Sequence, residues 1–139
     1  MPSNYYPAQI HWHTPSEHAT ADKSDGTPVY SAAEAHVVHL DTSVDPVGIS
    51  VLGVFFDVPE NAKNDEGENA FVKNFLEGFG DRQVADEDGD KAKIDMSLLI
   101  KELNTEAGFW MYDGSLTTPP CTEGVKWTVM KGKLTMSPN

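Results

Sequence analysis

Two stretches with a two-residue period narrow the folds open to this chain more than anything else in it. Gln9-Ile10-His11-Trp12-His13 alternates polar with apolar residues, and Ala32 to Leu40 sets Glu34, His36 and Val38 against Ala35, Val37 and His39. A period of two belongs to an extended strand, whose successive side chains point to opposite faces. Gln9, His11 and His13 then share one face, while Tyr6, Ile10 and Trp12 share the other. If the two strands are neighbours in one sheet, His36 completes a cluster of three ring nitrogens. Three histidines around tetrahedral zinc leave a fourth position for water, the pattern of a catalytic rather than a structural site. A His-x-His pair taken alone is more often just a polar sheet face. His39 has the wrong parity to join His36, so a hydrogen-bonded structural role is expected for it.

The remaining pattern points to a mainly β chain. Residues 21–28, centred on Asp25-Gly26, read as a solvated turn, and the second strand is expected from Val29 through His39. A third strand, Ile49 to Val58, carries Gly53 in its interior, the mark of a buried strand with a close backbone neighbour. The short links between these strands favour antiparallel pairing. Phe71, Phe75 and Phe79 recur every four residues on one face of a short helix that Gly78 and Gly80 should end. Ile94, Leu98, Leu99 and Leu103 suit a second helical turn starting near Asp95. The acidic runs from Glu60 to Asn69 and from Asp86 to Asp90 are expected as surface loops. Phe109 to Tyr112 reads as a strand, Asp113-Gly114-Ser115 as a turn, and Val125 to Leu134 as a last strand. The expected fold is therefore a twisted, mostly antiparallel sheet with a few short peripheral helices, in a single domain over residues 1–139.

Charge and cysteine content exclude several functions. With 22 Asp and Glu against 10 Lys and Arg, the formal net charge is -12, which argues against nucleic acid or an anionic membrane as a partner. No apolar run is long enough to span a bilayer, and Met1-Pro2-Ser3-Asn4 lacks the basic and apolar regions of a signal peptide. A single cysteine, Cys121, allows neither an internal disulfide nor a thiolate zinc cluster. Any metal must be held by histidines and carboxylates.

Five blocks in order, Gln9-x-His11-x-His13, Ser16-Glu17-His18, Ala33 to His39, Val51-Leu52-Gly53 and Gly114 to Pro120 with its Ser-Leu-Thr-Thr-Pro-Pro run, resemble the alpha-class, eukaryotic-type carbonic anhydrases. The resemblance covers Tyr5 to about Ser137. It implies reversible hydration of carbon dioxide to bicarbonate and a proton by a zinc-bound hydroxide, in a conical cavity of a twisted, mostly antiparallel sheet. Position by position, it makes His11, His13 and His36 the zinc ligands, with Gln9 and Glu34 as their outer hydrogen-bond partners. It makes Thr117 with Glu17 the gate that orients the hydroxide and sets Thr118 beside bicarbonate. It assigns the apolar wall that holds carbon dioxide to Val38, Val51, Leu116, Val125 and Trp127. His18 is expected to fix the turn after Glu17.

Set against the family, the chain reads as a partial domain that begins just before the first ligand strand and stops soon after Trp127. The family's proton-shuttling histidine and a further C-terminal strand fall outside it. Cys121 stands where secreted members place half of a disulfide, which tilts the expected location towards an extracellular, periplasmic or lumenal one. Its other reading is a plain buried thiol. Pro119-Pro120 stands where the family has a cis bond. The expected partner is carbon dioxide or bicarbonate, without nucleic acid or membrane insertion. The competing reading is a catalytically weak zinc-binding or scaffold module whose acidic loops attract calcium.

Overall fold

A computed structural model describes residues 4–63, 67–79 and 94–138. The acidic run Asp86 to Asp90 and Gly80 lie outside the described residues, as does the Phe79 side chain. The chain forms two compact units, Met1–Asp57 with Asn104–Lys133 and Val58–Leu103 with Leu134–Asn139.

The first unit is built on β1 (Tyr6–His13), β4 (Ala33–Asp41), β5 (Gly48–Asp57), β6 (Phe109–Ser115) and β7 (Glu123–Met130), hydrogen-bonded in the order β1-β4-β5-β7-β6. All neighbours are antiparallel except β5 and β7, which run parallel. A separate two-stranded sheet pairs β2 (Ala19–Ala21) with β3 (Pro28–Tyr30).

Residues opposite one another share a face, so the registers sort the sheet into two sides. His11 faces His36 and His13 faces Glu34 across β1 and β4. Glu34, His36 and Val38 in turn face Phe55, Gly53 and Val51 on β5. Val51 faces Trp127 and Gly53 faces Val129 on β7. The histidine side therefore also carries the main apolar cluster, Val51, Phe55, Val125, Trp127 and Val129, with Val38, Ile49 and Leu116 packed against it. The opposite side buries Ala35, Val37, Val54 and Phe56, and there the Trp12 ring lies 4.9 Å from that of Phe56.

The structure corrects the sequence reading at four places here. Ala8 is an extra residue between the Pro7–His39 and Gln9–Val38 pairs. This bulge reverses the parity upstream and turns Tyr6, paired with Leu40, onto the histidine side rather than the face of Ile10 and Trp12. The second strand does not start at Val29. Ser31 N donates to Ser16 Oγ at 2.9 Å and Ala32 N to Asp57 Oδ1 at 3.1 Å, so two side chains take the amides that a continuous strand would use. Asp113-Gly114-Ser115 is not a turn but the end of β6, paired with Lys126, Val125 and Glu123 through a register shift. The last long strand stops at Met130, and Leu134–Thr135 forms a separate short strand, β8. The Pro119–Pro120 bond is cis.

In the second unit, α1 (Ala70–Phe79) starts at Asn69, whose Oδ1 accepts from the amides of Phe71 and Val72 at 3.1 Å each. Phe71 is buried and Phe75 partly so. Gly78 lies inside the helix rather than ending it. A glycine costs a helix only about 1 kcal/mol, less than burying one phenylalanine contributes. α2 (Met96–Glu102) is capped by Asp95, which accepts from Ser97 N at 2.9 Å, and buries Leu99. Asn74 Oδ1 accepts from Asp95 N at 2.8 Å, and Asn69 donates to Glu102, which ties the two helices together.

Gly53 is where a backbone must come close. A methyl group there would sit 2.7 Å from Glu34 Oε1. Gly53→Ala is accordingly expected to cost about 1–3 kcal/mol, the usual range for overpacking a tight interior, read as a lower urea midpoint. An unchanged midpoint would show that Glu34 has room to retreat.

Candidate metal centre

His11 and His13 come from alternate positions of β1 and His36 from its neighbour β4, and one ring nitrogen from each lies within 4.8 Å of the other two. The ring centroids are 5.1 Å apart for His11–His13 and His11–His36, and 4.7 Å for His13–His36. Hydrogen bonds assign the tautomers. His11 Nδ1 donates to Gln9 Oε1 at 2.9 Å, which leaves Nε2 as a lone pair. His36 Nε2 lies 3.0 Å from Glu34 Oε1, at an angle poorer than that of a regular hydrogen bond, and the carboxylate beside it favours a hydrogen on that nitrogen, which leaves Nδ1 as the lone pair. These two nitrogens face each other at 3.3 Å.

Two lone pairs at that distance repel unless a cation lies between them. Nitrogens about 2.0–2.1 Å from one tetrahedral ion are themselves about 3.3–3.4 Å apart. His13 Nε2 is a buried atom with no hydrogen-bond partner, the kind of orphan that a metal ligand leaves when its ion is taken away. The donor set thus fits zinc. A second grouping, His18, Glu34 and His36, also lies within 4.8 Å, but its facing atoms already hydrogen-bond one another and leave no lone pair for a cation.

The electrostatics suit this assignment. Burial, with the neighbouring His36 and His13, holds the His11 pKa below its ordinary value against the opposing pull of Glu17, so the ring stays neutral and able to ligate. Glu34 is 0% exposed. Burial alone would raise its pKa, yet hydrogen bonds from the His18 and His36 rings and from the His18 amide hold it well below the usual carboxylate range. Oε2 accepts from the amides of Glu17 at 3.0 Å and His18 at 2.9 Å, while Oε1 accepts from His18 Nδ1 at 2.7 Å.

Glu17 stands at the edge of the cluster, with Oε2 3.6 Å from His13 Nε2 and 3.9 Å from His36 Nδ1. Thr117 Oγ1 donates to the same oxygen at 3.0 Å. Val38, Val51, Leu116, Val125 and Trp127 lie together in one apolar cluster on the histidine side. Trp127 is held there by Nε1, which donates to Ser115 O at 3.0 Å, and its ring centroid is 4.8 Å from that of His36. Thr118 is exposed on the same loop, its carbonyl accepting from Cys121 N at 2.8 Å. His39 lies apart from the cluster, its Nδ1 3.0 Å from Val37 O.

The sequence reading missed two features. Cys121 is exposed, with a positive φ of 57°, so the buried-thiol reading fails: the tight turn after the two prolines points it outward. His18 does more than fix a turn, because its Nε2 also meets Tyr112 Oη at 2.6 Å. The adjacent Glu17 could have marked His18, but nothing marked Tyr112, which stands 94 residues further along the chain.

Among the described residues no helix is long and apolar enough to cross a membrane. The chain is 37% identical over 139 residues to alpha carbonic anhydrase 3 of Arabidopsis thaliana, covering 97% of this chain and 42% of that protein. It is 29% identical over 136 residues to human carbonic anhydrase 3, covering 92% and 48%. The solved alpha-carbonic anhydrase of Thermovibrio ammonificans, in complex with the inhibitor sulfanilamide, superposes with a TM-score of 0.66 at 34% identity, over 96% of this chain and 50% of that one. The chain thus spans about half the length of the relatives it matches. The family model for eukaryotic-type carbonic anhydrase matches residues 2–139, and the chain belongs to that family.

Proposed function

We propose that this chain holds zinc through His11, His13 and His36 and serves the reversible hydration of carbon dioxide to bicarbonate. Family membership supports the reaction, and one observation supports the site: three ring nitrogens converge with their lone pairs unspent. Zinc held there supplies Lewis-acid activation of water at its open fourth position. Thr117 gives its only hydroxyl proton to Glu17, so its remaining lone pairs can only accept. Whatever stands before it must present a hydrogen and is thereby aimed. The wall of Val38, Val51, Leu116, Val125 and Trp127 suits a substrate with no charge or dipole, and Thr118, next to the gate, is the residue assigned to bicarbonate. The outer strand β6 exposes Phe109, Trp110 and Met111, which favours a second reading, a zinc-binding module of weak activity. The hydration rate of the zinc-loaded chain separates the two.

Each of His11→Ala, His13→Ala and His36→Ala is expected to abolish stoichiometric zinc, measured by elemental analysis, while His39→Ala keeps it. The opposite result for His36 and His39 would overturn the ligand set. Because imidazole must be neutral to ligate, zinc should be lost as pH falls through the histidine range. The lowered pKa of His11 favours its neutral, ligating form.

Thr117→Ala and Glu17→Gln should each slow hydration without releasing metal. The double variant should be little slower than the worse single one, since the two groups act as one hydrogen-bonded unit. Stopped-flow rates for all three variants decide it, and full additivity would rule out a shared gate.

A further inference from the structure

We propose that the groove between β2 and the outer part of the main sheet binds a planar aromatic carboxylate. The site is separate from the three histidines and needs neither a metal nor the hydration reaction. The groove holds about 650 Å³, within the range of about 300–1,000 Å³ usual for small-molecule sites. Its floor is Phe55, Trp110, Tyr112 and Val129, and β2 with Lys23 just beyond it forms the opposite wall. Register explains the floor. Trp110 faces Val129 and Tyr112 faces Trp127 across β6 and β7, Val129 faces Gly53, and Phe55 follows Gly53 by two residues, so all four lie on the same side of the sheet. Ala19 and Ala21 share one face of β2, and their methyl groups are too short to fill the space between β2 and that floor.

The lining fits a flat apolar body. Phe55, Trp110 and Tyr112 supply three aromatic rings, and His18 adds a fourth whose two nitrogens are already engaged, 2.7 Å from Glu34 Oε1 and 2.6 Å from Tyr112 Oη. Neither His18 nor Tyr112 therefore brings a spare polar atom to the groove. Tyr112 is stacked on Trp127 at an interplanar angle of 4°, which fixes its ring plane before any ligand arrives and lowers the cost of binding. Charge then selects an anion. The chain carries a net charge of -12, yet three lysines gather here. Lys23 lines the groove, Lys131 Nζ stands 5.2 Å from the Trp110 ring and Lys133 Nζ 5.9 Å from that of Phe55. Lys133 is paired with Asp57 at 2.9 Å, whereas Lys23 and Lys131 make no ion pair among the described residues. The neighbouring carboxylates are committed elsewhere. Asp22 accepts from Ser24 N at 2.7 Å and Asp25 from Thr27 N at 2.8 Å, both within their own loop, and Glu34 is enclosed by its donors. An aromatic carboxylate gives Lys23 the partner it lacks and covers Trp110, which is otherwise 45% exposed. A small inorganic anion has no body to cover the rings, and a neutral aromatic leaves the lysines unpaired.

The test titrates 2-naphthoate into the full chain, treated with chelator so that no metal can hold the anion, and follows the Trp110 indole and Val129 methyl resonances by NMR. Both should move on one saturating curve with a midpoint of about 1 mM, the affinity that a probe of this size supports. The Trp12 indole, on the opposite side of the sheet, should stay in place. The uncharged 2-naphthamide should bind about fivefold more weakly, and Lys23→Gln should weaken the acid by up to the same factor, the most that one exposed ion pair supplies. Lys23→Gln should also narrow the gap between acid and amide. Trp110→Leu should weaken both probes by about three- to tenfold through loss of the aromatic contact. If Trp110→Leu fails to fold, Lys23→Gln and the amide carry the test, because Lys23 is an exposed loop residue. The proposal is overturned if no saturable shift appears up to about ten times the expected midpoint, if acid and amide bind the parent chain equally, or if Lys23→Gln binds the acid as the parent does. Shifts that appear only after zinc is restored would place the anion on the metal and overturn it as well, leaving the zinc-site reading intact.

Discussion

The constraint on which the rest of this structure depends is the burial of a negative charge. Glu34 is fully enclosed near the start of β4. An isolated carboxylate in such a place would be strongly unfavourable, so it stays ionised only where donors surround it. Four groups do so: the amides of Glu17 and His18 and the rings of His18 and His36. Each demand shapes something else. The two amides pull the segment after β1 back over the sheet, and the ring of His36 is turned so that its other nitrogen faces His11. The neighbouring strand must carry a glycine where it passes the carboxylate.

Around this charge the sheet divides its work by face and by strand. The antiparallel pair β1 and β4 supplies the histidines, and β5 continues the same face with Val51 and Phe55. The parallel pairing of β5 with β7 brings Val125 and Trp127 alongside and with them the loop that carries Thr117. A polar cluster thus abuts a dry wall without any side chain having to change faces.

Much of this was legible from the two-residue period, because parity in a strand is a local property that the order of residues carries directly. His11, His13, His36 and the exclusion of His39 all follow from it, and the Thr117 block was legible only through its likeness to a known family. What escaped the reading depended on contacts far along the chain. The bulge at Ala8, which moves Tyr6 across the sheet, is set by the pairing with β4, and the adjacent Pro7, a residue that sheets confine to edges and bulges, is its one local signal. The break at Ser31 and Ala32 depends on Ser16 and Asp57, 15 and 25 residues away. Asp113-Gly114-Ser115 carries turn chemistry, but its ladder with β7 outweighs local preference.

The sequence separation of the contacts also orders how the centre comes together and how it comes apart. His11 meets His36 across 25 residues between neighbouring strands, whereas Glu17 meets Thr117 across 100. Closing the longer loop costs about 1.2 kcal/mol more, two doublings at about 0.6 kcal/mol each. By loop entropy alone, the β1–β4 pairing is therefore the easier of the two to form and the harder to lose. A molecule whose β7 has peeled away still has His11, His13 and His36 on neighbouring strands, but it has lost the Trp127 ring beside His36 and the contact between Glu17 and Thr117. The gathering of the three histidines and the completion of their surroundings are for this reason separate events in the life of the chain.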